Sequence, residues 1–106
     1  MDTTARAFAG LVAVLGDLEG RCAYPPLRDA FALTRRHAMD AQFAWATGME
    51  RYNGVIIDAI DSDRAALCHQ FADTFTRQHD YDIIDWRNDY MNAFSTLYDE
   101  LMVPQR

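Results

Sequence analysis

The side chains of this 106-residue chain that could hold a metal ion are its three histidines and the carboxylates near them. His37 precedes Asp40 by three residues and His69 precedes Asp73 by four, so each pair falls on one helix face. Helical carboxylate sites usually draw a Glu-x-x-His pair from each of two helices, and no such pair occurs here. These four residues are therefore a weak alternative metal site, and we expect no cofactor.

The two cysteines, Cys22 and Cys68, lie far apart in sequence, each on the apolar side of a predicted helix. A buried free cysteine behaves as a small hydrophobic residue, and two distant cysteines lack zinc-finger spacing. Cys68 is adjacent to His69, so on a helix the two side chains point about 100° apart and do not form a nucleophile–base pair. No P-loop, dinucleotide-binding or nucleophile-elbow motif is present. We therefore expect two free thiols and no enzymatic activity.

Residues 79–90 combine four aspartates, two tyrosines and a tryptophan. Tyrosine, tryptophan and arginine are enriched at the energetic centres of protein–protein interfaces, and acids around them steer a basic partner. Trp86 and Tyr90 fall on the predicted core face, so the segment can also be read as an ordinary helix whose acids are its solvated side. The predicted partner-binding surface consists of the remaining acidic and aromatic residues: Asp80, Tyr81, Asp82, Asp85 and Asp89.

The charge of the chain is unevenly placed. Its formal net charge is −6, and every basic residue is an arginine. Residues 1–57 hold six acids and six arginines, whereas residues 58–106 hold ten acids and four arginines. Nucleic-acid affinity rests mainly on basic side chains that neutralise phosphates. We therefore expect no direct binding to nucleic acid or to an anionic membrane surface, and we expect a protein partner with a basic surface.

The apolar residues that must position these side chains recur at helical spacing between sparse glycine and proline residues. No segment shows sustained alternation of apolar and polar residues, so strands are not expected. The pattern predicts an all-α fold, a small antiparallel bundle of four to five helices that forms one domain over residues 1–106. Helix one should run from Thr3 to Arg21. Helix two should begin after the Pro25-Pro26 pair, and Pro26 suits its first turn, where no amide donor is required.

The later boundaries are predicted from capping residues. Thr47-Gly48-Met49-Glu50 has the pattern of a capping box and predicts a short third helix over residues 49–60. Asp61-Ser62-Asp63 offers an N-cap for a fourth helix that ends near Gln78, with Cys68, Phe71, Ala72 and Phe75 facing inward. The last helix should run from Asp82 to Met102. Its predicted core stripe contains Ile83, Trp86, Tyr90, Phe94, Leu97 and Leu101.

Helix one also carries a row of small residues, Ala5, Ala9, Ala13, Gly16 and Gly20. We interpret this row as a site of close packing inside the fold, with a homodimer seam through Ala9, Ala13, Gly16 and Gly20 as the alternative. The apolar stretch over residues 7–15 is flanked by acids and is shorter than the roughly 20 residues of a membrane span. We therefore expect a cytoplasmic protein.

The main hypothesis is a small acidic partner-binding protein of the inhibitor, immunity, antitoxin or adaptor type, acting through the acidic last helix. One alternative is a helical domain that binds a small molecule or a metal. Its pocket would lie between helices and be lined by Trp45, Tyr52, Phe71, Phe75 and Trp86. The other alternative is a structural homo-oligomer that packs through helix one.

Overall fold

The computed structural model describes residues 2–48 and 53–102. These residues form an all-α bundle, and no strand occurs within them, which confirms the predicted fold class. The helices, with the bounds that the structure gives, are α1 (Thr3–Arg21), α2 (Pro25–Ala46), α3 (Asn53–Gln78) and α4 (Asp82–Met102). Both ends of α1 and the start of α4 coincide with the sequence prediction, and α4 is helical up to Met102, the last described residue.

Local capping chemistry explains three of the helix ends. The Asp2 carboxylate accepts a hydrogen bond from the Thr4 amide at 2.9 Å and caps α1. The proline pair occupies the first turn of α2, where no amide donor is needed. At the other end of α2, the Thr47 hydroxyl donates to the carbonyls of Phe43 and Ala44. Gly48 follows in the left-handed region, with φ at 82°.

The predicted break near residue 47 is thereby confirmed, with Thr47 as the residue that ends α2. The other half of the predicted capping box, Met49 and Glu50, lies outside the described residues. So do the first four residues of the predicted short helix over residues 49–60.

A helix start at Asp61-Ser62-Asp63 was predicted, and this prediction is wrong. These residues lie inside the continuous helix α3, where the Arg64 guanidinium donates to Asp61 at 2.9 Å. Asp and Ser lower helix propensity by less than about 1 kcal/mol each, a cost that core packing outweighs. The buried face of α3 resumes in the same helical phase beyond this point, with buried positions at Ile56, Ile60, Leu67, Phe71 and Thr74.

The contacts between helices define an up-down-up-down arrangement. Phe8 packs on Trp45 while Gly16 lies beside Arg35, so α1 and α2 are antiparallel. The other neighbouring helices are also antiparallel, because residue numbers fall along one helix as they rise along the helix that it contacts. The pairs that show it are Phe31–Phe71 and His37–Asp63 for α2 and α3, Phe71–Tyr90 and Cys68–Met91 for α3 and α4, and Thr3–Glu100 with the shared cavity lining of Asp17 and Asp89 for α1 and α4.

All six predicted core positions of α4 are buried, as their spacing requires. In α3 the predicted inner face is only partly right. Phe71 is buried and Cys68 and Phe75 are half-buried, but Ala72 is exposed, and Leu67 occupies the core position instead. The reason is the continuous helix, whose phase is set by Ile56 and Ile60 and not by a new start at residue 61.

The small-residue row of α1 does not pack inside the fold as expected. Ala9, Ala13 and Gly20 are exposed, whereas Gly16 is half-buried, and a Cβ atom built on it would lie 3.5 Å from the Arg35 Cδ atom of α2. The buried stripe of α1 lies on its other side. Within residues 2–48 and 53–102, no helix is both long and apolar enough to cross a membrane.

Candidate functional site

The corner between α3 and α4 is built around Asp80. His79 takes a left-handed conformation, with φ at 53°, and turns the chain out of α3. The Asp80 carboxylate then accepts two hydrogen bonds, from the Tyr24 hydroxyl at 2.6 Å and from the Asp82 amide at 3.0 Å. The first bond ties this corner to the start of α2, and the second caps α4.

These bonds also change the acidity of both partners. The Tyr24 hydrogen bond, with help from the Asp82 amide, holds the pKa of Asp80 below its ordinary value. The same bond raises the pKa of the Tyr24 hydroxyl. Asp80 was predicted to contact a partner, but the structure places its carboxylate in internal hydrogen bonds.

Tyr81 follows at the same corner and is 74% exposed. Its ring packs edge-on against Phe75, with centroids 5.7 Å apart, which orients the side chain without burying it. One turn along α4, Ile84 is also exposed. A rigid aromatic ring held at the surface can add apolar contact area to an interface at little cost in conformational entropy.

Asp82, Asp85 and Asp89 form what we call the acidic row. All three are exposed, and their spacing of three and four residues places them on one face of α4. Asp82 and Asp85 lie in the first turn, where the helix dipole favours negative charge. Among the described residues, none of the three forms a salt bridge with an arginine or histidine.

A groove runs along the seam between α1 and α4, beside the acidic row. It consists of two adjoining cavities of about 360 and 320 Å³ that share Val14, Ala93 and Thr96. The first is largely apolar and includes Gly10 in its lining. The second is lined by Asp17 and Asp89 among others, so one member of the acidic row forms its rim. We call these two cavities the α1/α4 groove.

The α1/α4 groove is a feature that the sequence analysis missed. Its small lining residues are Ala7 and Gly10 on α1 and Ala93 on α4, and the two groups lie more than eighty positions apart in the chain. Small residues on the solvent side of each helix are the only local signal. Their meeting depends on the antiparallel pairing of α1 with α4, which spacing within one helix does not reveal.

The five residues of the predicted small-molecule pocket do not come together. Trp45 packs on Phe8 near the C-terminal end of α2, whereas Trp86 packs on Tyr24 at the N-terminal end of that helix. A helix of this length places its two ends roughly 30 Å apart. Tyr52 lies outside the described residues. The other two line a small groove of about 170 Å³ between α3 and α4, with Phe71 on its buried side and Phe75 half-buried.

Two of the predicted metal-ligand residues form contacts with other side chains. A ring nitrogen of His37 lies 2.9 Å from Asp63 on α3, and Asp73 is bonded to Arg77 at 3.2 Å. Over the two described stretches, no three His, Cys, Asp or Glu side chains gather as metal ligands would.

Both cysteines are free, as expected. The Cys22 thiol is buried in the core, and burial raises its pKa. It donates to the Tyr24 carbonyl at 3.5 Å, while the Cys68 thiol lies 3.8 Å from the Met91 sulfur. A thiol whose pKa is raised is less nucleophilic at neutral pH, so Cys22 has the character of a core residue.

Comparison of the chain with protein-family models, with curated proteins and with solved structures gives no match.

Proposed function

We propose that this protein binds a partner protein with a basic surface through the acidic row of α4, with Tyr81 as an aromatic contact beside it. It would act without catalysis, in the manner of an inhibitor, immunity protein, antitoxin or adaptor. The observation that carries the proposal is the set of three exposed carboxylates on one helix face that have no salt-bridge partner among the described residues.

The contrast with other acids of the chain supports this proposal. Five of them already face a basic side chain within the fold, in the pairs Asp17–Arg21, Glu19–Arg35, Asp63–His37, Asp61–Arg64 and Asp73–Arg77. Exposed aspartates without such a pair also occur on α2 and α3, but as Asp29, Asp40 and Asp58 they are isolated from one another in sequence. The acidic row concentrates its charge within two helical turns, where it can attract a basic surface.

The non-enzymatic part of the proposal is supported by the surroundings of the nucleophilic side chains. Cys22 and Cys68 have a carbonyl oxygen and a thioether as their polar neighbours, and neither is bonded to a histidine. His37 is engaged with Asp63, between α2 and α3. A nucleophile needs a base within hydrogen-bond reach, and these pairings do not provide one.

The test is affinity capture from the native cell with the wild-type chain and two variants. In the first variant Asp82, Asp85 and Asp89 are changed to Arg. The matched control carries the same three changes at Asp29, Asp40 and Asp58, so both variants shift the net charge equally. We expect the wild type and the control to retain a common basic partner and the row variant to lose it.

Circular dichroism of all three proteins checks that the helices remain folded, because reversal in the first turn of α4 opposes the helix dipole. Recovery of the same partners with the folded row variant would refute the proposal. Loss of the partner in both variants would show that net charge, and not the acidic row, governs binding, and would refute it as well.

A further inference from the structure

We infer that the α1/α4 groove receives an amphipathic, basic α-helix of the partner. The inference rests on the proposed function and deepens it, because it names the element that docks and the surface that it covers. Its support comes from the shape of the groove, the composition of the outer face of α1, and the charges at the rim.

The groove is long enough to receive a short helix. Its lining on α1 extends from Thr3 to Asp17, which corresponds to roughly 21 Å or about fourteen residues of helix. A Cβ atom built on Gly10 meets nothing within 4 Å, so the groove is open above this residue. Packed helices approach to about 8–10 Å between axes, and small residues at the contact favour the shorter distance.

The solvent face of α1 points to the same conclusion. A surface helix normally carries charged and polar side chains opposite its core stripe. In α1 the exposed residues include Ala9, Gly10, Ala13 and Gly20, none of which has a long side chain. This small-residue face continues into the groove at Gly10, so a docked helix could approach the α1 backbone there, with the exposed Arg6 side chain beside it at the far end of the groove from Asp17.

The acidic residues at the rim of the groove favour a basic helix as its occupant. Asp89 and Asp17 lie at one end of the groove, and the acidic row continues beyond it through Asp85. Asp17 is already paired with Arg21, so Asp89 and Asp85 provide the uncompensated charge at this end. The apolar part of the groove, around Val14, lies next to them. An occupant that matches both parts has an apolar stripe and lysine or arginine at the end beside Asp89.

A second copy of this chain matches the groove less well. Each copy carries a net charge of −6, and the acidic row would have to approach that charge. We therefore assign the groove to a helix from a basic protein and treat self-association as a competing outcome of the test.

The experiment uses the full chain and a fluorescent synthetic peptide of about fourteen residues, the length that the groove accommodates. The peptide carries leucines at helical spacing and arginines at one end, and a second peptide carries glutamates in their place. Binding is measured by fluorescence anisotropy. Contacted residues are mapped from amide chemical shifts in NMR spectra, where we expect changes at Gly10, Val14 and Ala93.

Two matched variants separate the groove from the rest of the surface. Gly10→Leu places a side chain in the open groove, and Ala65→Leu places the same side chain on the exposed face of α3. We expect Gly10→Leu to weaken binding of the arginine peptide by about tenfold or more, because the added side chain occupies space that the docked helix would fill. Ala65→Leu should leave the affinity unchanged, and the glutamate peptide should not bind.

The outcomes distinguish this inference from the proposed function. If reversal of the acidic row abolishes binding but Gly10→Leu does not, the groove inference is overturned while the proposed function stands. If the arginine peptide binds neither the wild type nor the row variant, the groove inference is overturned, while the capture experiment still decides the proposed function. If the peptide binds equally to both, the acidic row does not attract a basic helix, and the groove inference fails; loss of the acidic-row dependence in the capture experiment as well would refute both. If the wild type is a dimer by sedimentation and Gly10→Leu makes it monomeric, a second copy occupies the groove and the inference is overturned.

Discussion

At the scale of single residues, Asp80 shows how a contact outside its own helix changes the role of an acid. Its neighbours in sequence suggest a member of an acidic surface, yet one oxygen binds the Tyr24 hydroxyl and the other binds the Asp82 amide. The first bond joins residues 56 positions apart. Asp80 therefore links the corner between α3 and α4 to the start of α2. We call this pair of hydrogen bonds the clamp at Asp80.

Because of the clamp at Asp80, we expect the free energy of unfolding to depend on pH in the acid range. The pKa of Asp80 is lowered in the folded protein, so its contribution to stability is present above the ordinary carboxyl value of 3.8 and is lost as the pH falls through the folded pKa. Tyr24→Phe removes the main cause of the lowered pKa. We expect this variant to be less stable than the wild type at neutral pH and to lose less of its remaining stability on acidification.

The measurement is urea unfolding between about pH 2 and pH 6, the range over which a carboxylate stabilised in the folded state titrates. Tyr81→Phe is the control, because Tyr81 is exposed and its hydroxyl forms no hydrogen bond among the described residues. Equal acid slopes for wild type and Tyr24→Phe would contradict the role assigned to Asp80.

Substitution of glycine by alanine should change the free energy of unfolding in opposite directions at Gly10 and Gly48. Gly10→Ala should raise the free energy of unfolding by about 0.5–1 kcal/mol, because the position is helical and the added methyl group meets open space. Gly48→Ala should lower it by about 1–2 kcal/mol, because Gly48 has φ at +82°. Denaturant unfolding of both variants gives the two signs, and a gain in stability for Gly48→Ala would contradict the structure at the end of α2.

At the scale of elements, the difference between expectation and structure lies in α3. Asp61-Ser62-Asp63 has the composition of a helix start, yet it lies in the middle of a helix. A capping residue stabilises a helix start by about 1 kcal/mol, while each fully buried apolar side chain stabilises the fold by about 1.5–3 kcal/mol. The buried residues on both sides, Ile60 and Leu67, therefore hold the helix continuous through the polar segment.

This interpretation predicts a strong effect of Ser62→Pro. In a continuous helix, proline removes a hydrogen bond and clashes with the preceding turn, so we expect a loss of about 3 kcal/mol or more. At the first position of a separate helix, by contrast, proline would be tolerated. Ser62→Ala is the control and should be neutral or slightly stabilising, because Ser62 is exposed. Thermal unfolding of the two variants decides between the arrangements, and a mild effect of the proline would contradict a continuous α3.

At the scale of the whole molecule, we expect residues 1–106 to unfold as one domain. The two tryptophans report on opposite ends of the bundle, since Trp45 packs on Phe8 and Trp86 packs on Tyr24. The buried residues between them form one continuous core. We therefore predict that Trp45→Phe and Trp86→Phe each give a fluorescence transition that coincides with the loss of helical circular dichroism in the same variant. Separate midpoints in either variant would mean that the two ends unfold independently.

The molecule is elongated, 46 × 22 × 18 Å, and the acidic row adjoins the α1/α4 groove at Asp89, which belongs to both. A partner helix lying along this seam would run parallel to the long axis and would cover α1 and α4 together. Both proposals therefore concern one continuous surface, and the Gly10 and acidic-row variants test its two parts separately.

Periodicity and capping within one helix were sufficient to predict the bounds of α1, the start and core stripe of α4, and the exposure of Tyr81, Asp82, Asp85 and Asp89. These properties depend on residues within about four positions of one another, where side-chain direction follows from helical geometry. The continuity of α3, the clamp at Asp80 and the α1/α4 groove depend on residues from different helices. They were decided only when the four helices packed, because burial and long-range hydrogen bonds then outweighed local preference.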